Sequence, residues 1–407
     1  MNRVIGVLIL LIAIAGGLAF AFLQRGSVDS VLGNGPGKQV ALMGFVGGEK
    51  LNLMEDPEVL KILSGRYGIT LDLRRAGGVE MVTEPRLLDQ KPQFLWPSSQ
   101  VIAELAKERG LAIRKDENIF NSPIVLYTWS PIASALEAAG LVTKQADGHY
   151  SVKLPELIDR IVQQKTWADI GVNDLYGRMM LFSTDPTKSN SGFMFAGLLA
   201  NVLNGGEVVG DNSVGQVLPT VKRLFDRMGY TEPSSGKLFD LYIGEGMGSK
   251  PIIVGYENQL VEYALAHKDK WPAVQAMAVH PVILYPEPTV YSSHPLMTLA
   301  PEADALIAAL QDADLQRIAW QRHGFRSGFV AVINDPAGLG LPGISPSVAK
   351  VMPMPSPRTM NAILTALQGS ADAAPLHARQ PITQRAAKNS TMATALAGRM
   401  TAGATTR

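Results

Sequence analysis

Short polar residues crowd the starts of several predicted helices, and their types point to the binding of a small polar molecule. Ser189, Asn190 and Ser191 precede an apolar series, Phe195, Leu198, Leu199, Val202 and Leu203, spaced i, i+3, i+4, i+7, i+8. That spacing buries one face of a helix. Ser and Asn are favoured N-caps. A helix start offers unpaired N–H donors and a partial positive charge. One cap is enough for one helix, so three capping types in a row exceed the structural need. Gly192 removes a side chain and would let a guest approach the backbone. Ser98 and Ser99 follow Trp96-Pro97 in the same way, and Gly47-Gly48-Glu49-Lys50 follows the first predicted strand. Glu257 follows Tyr256 and precedes Asn258, and Trp129 precedes Ser130-Pro131. Glu257 also suits the helix dipole, and Trp129 also suits a core.

The elements that must position these residues alternate in type. Val40–Val46, Ile69–Arg75, Phe94–Trp96, Ile124–Trp129, Met179–Ser183, Pro251–Tyr256 and Pro281–Tyr285 are short apolar or alternating runs. Helical patterns lie between them: Asp56–Tyr67 behind Asp56-Pro57, Ser98–Arg109, Ile132–Ala139, the series after Ser189, Glu257–His267 and Ala303–His323. This alternation predicts α/β layers with largely parallel sheets. In such sheets ligands bind at the carboxyl ends of strands, against helix starts. Loops are short apart from the Pro/Gly-rich Asp335–Pro357.

The chain has 407 residues, 46% of them hydrophobic and 18% charged, which suits a globular core rather than disorder. With 37 basic and 36 acidic residues and no basic patch, no nucleic-acid partner is expected. The absence of cysteine removes disulfides, thiolate metal sites, Cys nucleophiles and a lipid-modified anchor. Val4–Leu23 is a run of twenty uncharged residues, and about 1.5 Å per residue gives it a span of about 30 Å. It reads as a transmembrane anchor (1–25), the alternative being a signal peptide cut after Ala19-Phe20-Ala21. Both send the folded part out of the cytoplasm: a single-pass bacterial membrane protein, or a periplasmic one after cleavage. Residues 26–38 read as a linker and 369–407 as a weakly basic, disordered tail.

Five stretches, Gly47–Leu63, Phe94–Ser99, Ile124–Leu136, Ser183–Val202 and Leu241–Glu262, resemble bacterial extracellular solute-binding proteins of the type II periplasmic-binding-protein fold. The similarity is greatest to a subgroup found beside von Willebrand factor A proteins. TDPTKSNSG and GMGSKPIIVGYENQ are its most specific segments. The resemblance implies two α/β lobes: lobe one from 39–121 and 276–368, lobe two from 122–275. It implies crossing strands near Ile124–Trp129 and Pro281–Tyr285, hinge closure over a ligand, and Ser98-Ser99 facing Ser189-Asn190-Ser191 across a cleft. Gly47, Gly48, Trp129 and Glu257 complete the candidate binding set. An inward Glu49 or Glu257 would disfavour an oxyanion unless Lys50, Lys188 or Arg74 offset it. The implied partners are a small polar solute, the membrane through the N-terminal helix, and a transporter or a von Willebrand factor A-type envelope protein. No cofactor and no metal are implied.

Enzyme signatures are missing. The six histidines show no HxxxH spacing, there is no G-x-S-x-G elbow, and Gly244–Ser249 and Gly236-Lys237 lack the order of nucleotide-binding loops. The remaining alternative is an envelope scaffold that uses the same fold without a ligand.

Overall fold

The computed structural model describes residues 39–371 apart from 330, 331 and 349. The expected anchor, the linker and most of the expected tail lie outside the described residues. Among the described residues no helix is long and apolar enough to cross a membrane.

Two sheets share one long strand. In the first, β1 (Val40–Val46) pairs in parallel with β2 (Ile69–Arg75) and β3 (Phe94–Trp96). Then β9 (Tyr291–Thr298) pairs antiparallel with both β3 and β4 (Lys115–Trp129). In the second, the far half of β4 pairs antiparallel with β7 (Ile252–Tyr256) and β8 (Pro281–Glu287). There β8 also runs parallel to β6 (Tyr150–Lys153), which pairs with β5 (Val142–Lys144). The two-residue strand β10 (Arg326–Ser327) adds to the first sheet against β4. The sheets are mixed rather than largely parallel. The strands that leave one lobe and return to it supply the antiparallel pairs: β4 and β9 run against their neighbours, and β8 runs against β4.

β4 changes sheet between Pro123 and Ile124, since 115–123 pair with β9 and 124–129 with β7 and β8. The chain returns to the first sheet between Glu287 and Tyr291. Lobe one has its own core, centred on Leu42, Phe94, Trp96, Phe120 and Leu310, and lobe two belongs to a larger one.

The long C-terminal segment does not stay with lobe one. Thr289 and Met352 bond backbone to backbone, and Asn201 Nδ2 donates to the Pro353 carbonyl at 2.9 Å. Helix Pro357–Ala371 then packs on helices Val214–Met228 and Asn190–Leu203 and also reaches Gln100–Glu108 of lobe one. Its buried face, Met360, Ile363, Leu364 and Leu367, meets the apolar face of its lobe-two neighbours. Strand β8 thus lies in the second sheet, and helix Pro357–Ala371 lies chiefly against Val214–Met228. The same helix takes in 369–371, the first residues of the expected tail.

Local signals explain most elements. Asp56 caps helix Pro57–Tyr67 by accepting from Glu58 N at 2.8 Å. The pattern over Ala303–His323 breaks into Asp304–Leu310 and Ala313–His323, because Asp312 accepts from Asp314 N and Leu315 N and starts a new helix. Met179–Ser183 contributes a single bridge, Phe182 to Ile253, rather than a strand.

Candidate functional site

A cleft of about 680 Å³ opens between the lobes. On lobe one it is lined by the loops that leave β1, β2 and β3: Gly47 to Glu49, Arg75 to Gly78 with Glu80, and Pro97-Ser98. On lobe two it is lined by Lys188 to Asn190, Tyr230, residues 232–237, and Tyr256 at the end of β7. Three helices start at this cleft, at Gly78, Asn190 and Ser235. Of the residues singled out in the sequence, Gly47, Gly48, Ser98, Ser189 and Asn190 come together here.

The lobe-one floor is a buried charge cluster. Gly48–Lys50 forms one 3-10 turn rather than a solvated loop, and Lys50 is 0% exposed. Its Nζ donates to Glu49 Oε1 at 2.5 Å, to Ser98 Oγ at 2.7 Å and to His294 Nδ1 at 3.2 Å, beside the Trp96 ring. Ser98 Oγ donates to the same Glu49 oxygen. Burial alone would raise the Glu49 pKa. The Lys50 ammonium and the hydrogen bonds from Lys50 and Ser98 outweigh it and hold the carboxyl at about 2. Burial and then Lys50 push His294 well below its ordinary value, so its ring is neutral. Lys50 has only donors, so Nδ1 accepts and the ring proton sits on Nε2.

This cluster sets an acid limit on stability. A carboxyl depressed by folding contributes stability that is complete above its unfolded pKa and lost as pH falls through the folded one. The Glu49 contribution should therefore disappear between about 4.5 and about 2. Urea unfolding on either side of that window should show a shallower loss in Glu49→Gln than in the wild type. Equal slopes would mean that the carboxyl is not held ionised.

The lobe-two side is organised by Asp185. Its carboxylate accepts from Thr187 N at 2.9 Å and Thr187 Oγ1 at 2.7 Å, and Lys188 lies 3.3 Å from it. Ser189 N donates to the Asp185 carbonyl at 2.8 Å, which turns the chain into helix Asn190–Leu203. Ser189 is the N-cap, yet its side chain makes no capping bond, so the helix start stays open to the cleft. Asn190 reaches across the cleft: its Nδ2 donates to the Ser98 carbonyl at 2.6 Å and to Tyr256 Oη at 3.2 Å. A Cβ on Gly77 would lie 2.1 Å from the Lys188 carbonyl oxygen, and one on Gly78 would lie 3.0 Å from Asn190 Oδ1. Gly77 thus lets the lobes meet backbone to backbone, and Gly78 makes room for the Asn190 side chain.

Other candidates take different places. Ser191 lies behind the cleft, bonded to Thr184 Oγ1 at 2.8 Å and Ser189 Oγ at 3.1 Å. Gly192 serves packing rather than a guest, since a Cβ there would lie 2.4 Å from the Thr184 carbonyl oxygen. Ser99 caps helix Gln100–Glu108 without a side-chain bond and lines a separate groove with Met194 and Val351–Ser356. Trp129 belongs to the lobe-two core: its Nε1 donates to the Lys250 carbonyl at 2.9 Å and its ring lies 4.6 Å from that of Tyr242. Glu257 faces away from the cleft, because Arg326 Nε at 2.6 Å and Tyr285 Oη at 2.5 Å hold it in a buried ion pair. Arg74 turns outward to Asp72 and Gln90.

Arg75, Gly77-Gly78, Tyr230 and residues 232–235 line the cleft as well, although none is among the residues singled out in the sequence. The signal was present in two of them. Gly77-Gly78 stands at a strand-to-helix junction like the others, and Ser234-Ser235-Gly236 opens a helix in which Ser234 Oγ accepts from Lys237 N at 3.3 Å. Among the described residues no group of three or more His, Asp or Glu side chains is placed to hold a metal ion.

No protein-family profile matches the chain, and no curated protein matches it in sequence. Solved structures do match. The periplasmic binding protein AfuA from Actinobacillus pleuropneumoniae, with fructose-6-phosphate bound, superposes with a TM-score of 0.51 at 13% identity, over 83% of this chain and 99% of that one. A putative extracellular solute-binding protein from Bordetella parapertussis gives 0.51 at 11% identity, over 81% and 98%. The substrate-binding protein of an ABC transporter from Agrobacterium tumefaciens gives 0.51 at 12% identity, over 81% and 95%. Identity this low shows the fold: the chain has the mixed α/β architecture of extracytoplasmic solute-binding proteins.

Proposed function

We propose that the chain is an extracytoplasmic solute-binding protein that captures a small polar solute between its lobes, for transport or sensing. The carrying observation is the convergence of helix starts from both lobes on one polar cleft, with the Ser189 cap unused. A closed cleft excludes water and strengthens each hydrogen bond to the guest. Val4–Leu23 would tether the domain to the bacterial membrane, and a transporter or a von Willebrand factor A-type envelope protein would receive it. The role is binding rather than catalysis. Ser98 and Lys50 are adjacent, but the ammonium is committed to Glu49, so Lys50 is not free to act as a base.

Thermal unfolding of the full chain in mild detergent tests this, against oxyanions, amino acids, polyamines, sugars and short peptides. A ligand of the folded state at 100 times its Kd adds about 2.7 kcal/mol. One class should raise the midpoint, and Ser189→Ala/Asn190→Ala should abolish the rise. A flat response to every class would refute the reading and favour the scaffold.

A further inference from the structure

The cleft presents acids and bases that have not paired with one another. Glu49 Oε1 takes both bonds from Lys50 and Ser98, and Oε2 has no partner among the described residues. Asn190 Nδ2 faces a carbonyl, so the amide orientation is fixed and Oδ1 is left as an acceptor. That Oδ1 is buried and has no partner. Both acceptors connect to Ser98, one through its hydroxyl and one through its carbonyl. Arg75 lines the same cleft, and its guanidinium makes no ion pair or hydrogen bond among the described residues.

The Gly47-Gly48 turn brings these charges close together. A Cβ on Gly47 would lie 2.6 Å from Glu49 Oε2, and one on Gly48 would lie 2.7 Å from Arg75 Nε. Neighbouring Cα atoms are about 3.8 Å apart. The acid and the base thus flank one peptide unit, and a salt bridge between them is not formed.

We propose that the ligand is a small zwitterion of the amino-acid class, its ammonium held by Glu49 Oε2 and Asn190 Oδ1 and its carboxylate by Arg75. This rests on the cleft being the solute site. An ammonium brings three donors and no acceptor, which suits two unpartnered acceptors, one of them charged. The Glu49–Lys50 pair turns its negative end to the cleft, so a cation there meets the carboxylate before it meets Lys50. A free sulfate or phosphate in the same place would face that carboxylate, which is a device of exclusion. The open start of helix Asn190–Leu203 adds N–H donors for the ligand carboxylate.

The test is calorimetric titration of the full chain with the twenty L-amino acids, and, for each that binds, with the 2-hydroxy acid and the carboxamide of the same skeleton. Sulfate and glucose 6-phosphate complete the set. The zwitterion should bind at least tenfold tighter than either single-charge analogue. Glu49→Gln should erase the advantage over the hydroxy acid, and Arg75→Met the advantage over the carboxamide. Because Glu49→Gln leaves Lys50 buried without its counter-charge, Glu49→Gln/Lys50→Met serves as the second variant and should lose the same preference. A hydroxy acid as tight as its amino acid would overturn the proposal. Binding of glucose 6-phosphate or sulfate with no response to amino acids would overturn it too, while the binding-protein reading stands. Silence from every compound would overturn the proposal, and silence from the polyamines, sugars and peptides of the thermal panel as well would sink the binding reading.

Discussion

Arg326→Met should destabilise the fold by about 3–5 kcal/mol, the usual cost of leaving a buried charge without its partner. Arg326 donates from Nε to Glu257 Oε2 at 2.6 Å and from one terminal nitrogen to Oε1 at 2.8 Å. The same terminal nitrogen donates to the Ser345 carbonyl at 2.5 Å, and Tyr285 Oη donates to Glu257 at 2.5 Å. Four segments meet there: β10 of lobe one, the first turn of helix Glu257–Ala266, β8, and the C-terminal strap. Glu257 is 0% exposed and Arg326 7%. Burial works against the charge on Arg326, but Glu257 and its hydrogen bonds outweigh it and hold the guanidinium above its ordinary value. Replacing both groups, as in Glu257→Leu/Arg326→Met, should recover most of the loss, because no orphaned charge remains. Urea unfolding of the two variants measures this. A single-variant loss under about 1 kcal/mol would place the pair in solvent-like surroundings.

The same pair shows why part of the site was legible and part was not. Glu257 follows a strand and opens a helix, the position where Ser189 and Ser98 do line the cleft, so local pattern alone assigns it the same role. Its real partner lies 69 residues away on a two-residue strand that no periodicity reveals. Trp129 fails for a similar reason, since its bond runs to a carbonyl 121 residues away. Arg74 and Arg75 show the sensitivity of strand parity. Successive side chains point to opposite faces, so a choice between neighbours is a choice between solvent and cleft. What was legible rests on near-neighbour physics. Asp56-Pro57 starts a helix, β1 and β2 read as strands, and Gly47, Gly48, Ser98, Ser189 and Asn190 lie at junctions that the sheet brings to one side. The third interlobe connection, the strap ending in helix Pro357–Ala371, was not. An amphipathic helix shows that it needs a partner, but not which lobe supplies one.

Gly77→Val should weaken ligand capture by roughly 5- to 150-fold without unfolding either lobe. The side chain would meet the Lys188 carbonyl oxygen of the opposite lobe, which a Cβ approaches to 2.1 Å. Backbone oxygen cannot rotate aside as a flexible side chain can, so the loops must separate. Overpacking of this kind costs about 1–3 kcal/mol, and it falls chiefly on the closed arrangement, because the same-lobe neighbour at 2.9 Å, Glu80 Oε2, ends a flexible side chain that can turn aside. Gly77 has φ −68° and ψ 147°, which a β-branched residue adopts readily, so no backbone strain is added in the open one. The apparent affinity falls with the fraction of molecules able to close, which converts that cost into the stated range. Unfolding without ligand should stay close to that of the wild type, and small-angle scattering should show a larger radius of gyration. Wild-type affinity in Gly77→Val would mean that ligand capture does not need the Gly77–Lys188 contact, and the cleft would then bind in a more open form than the one described.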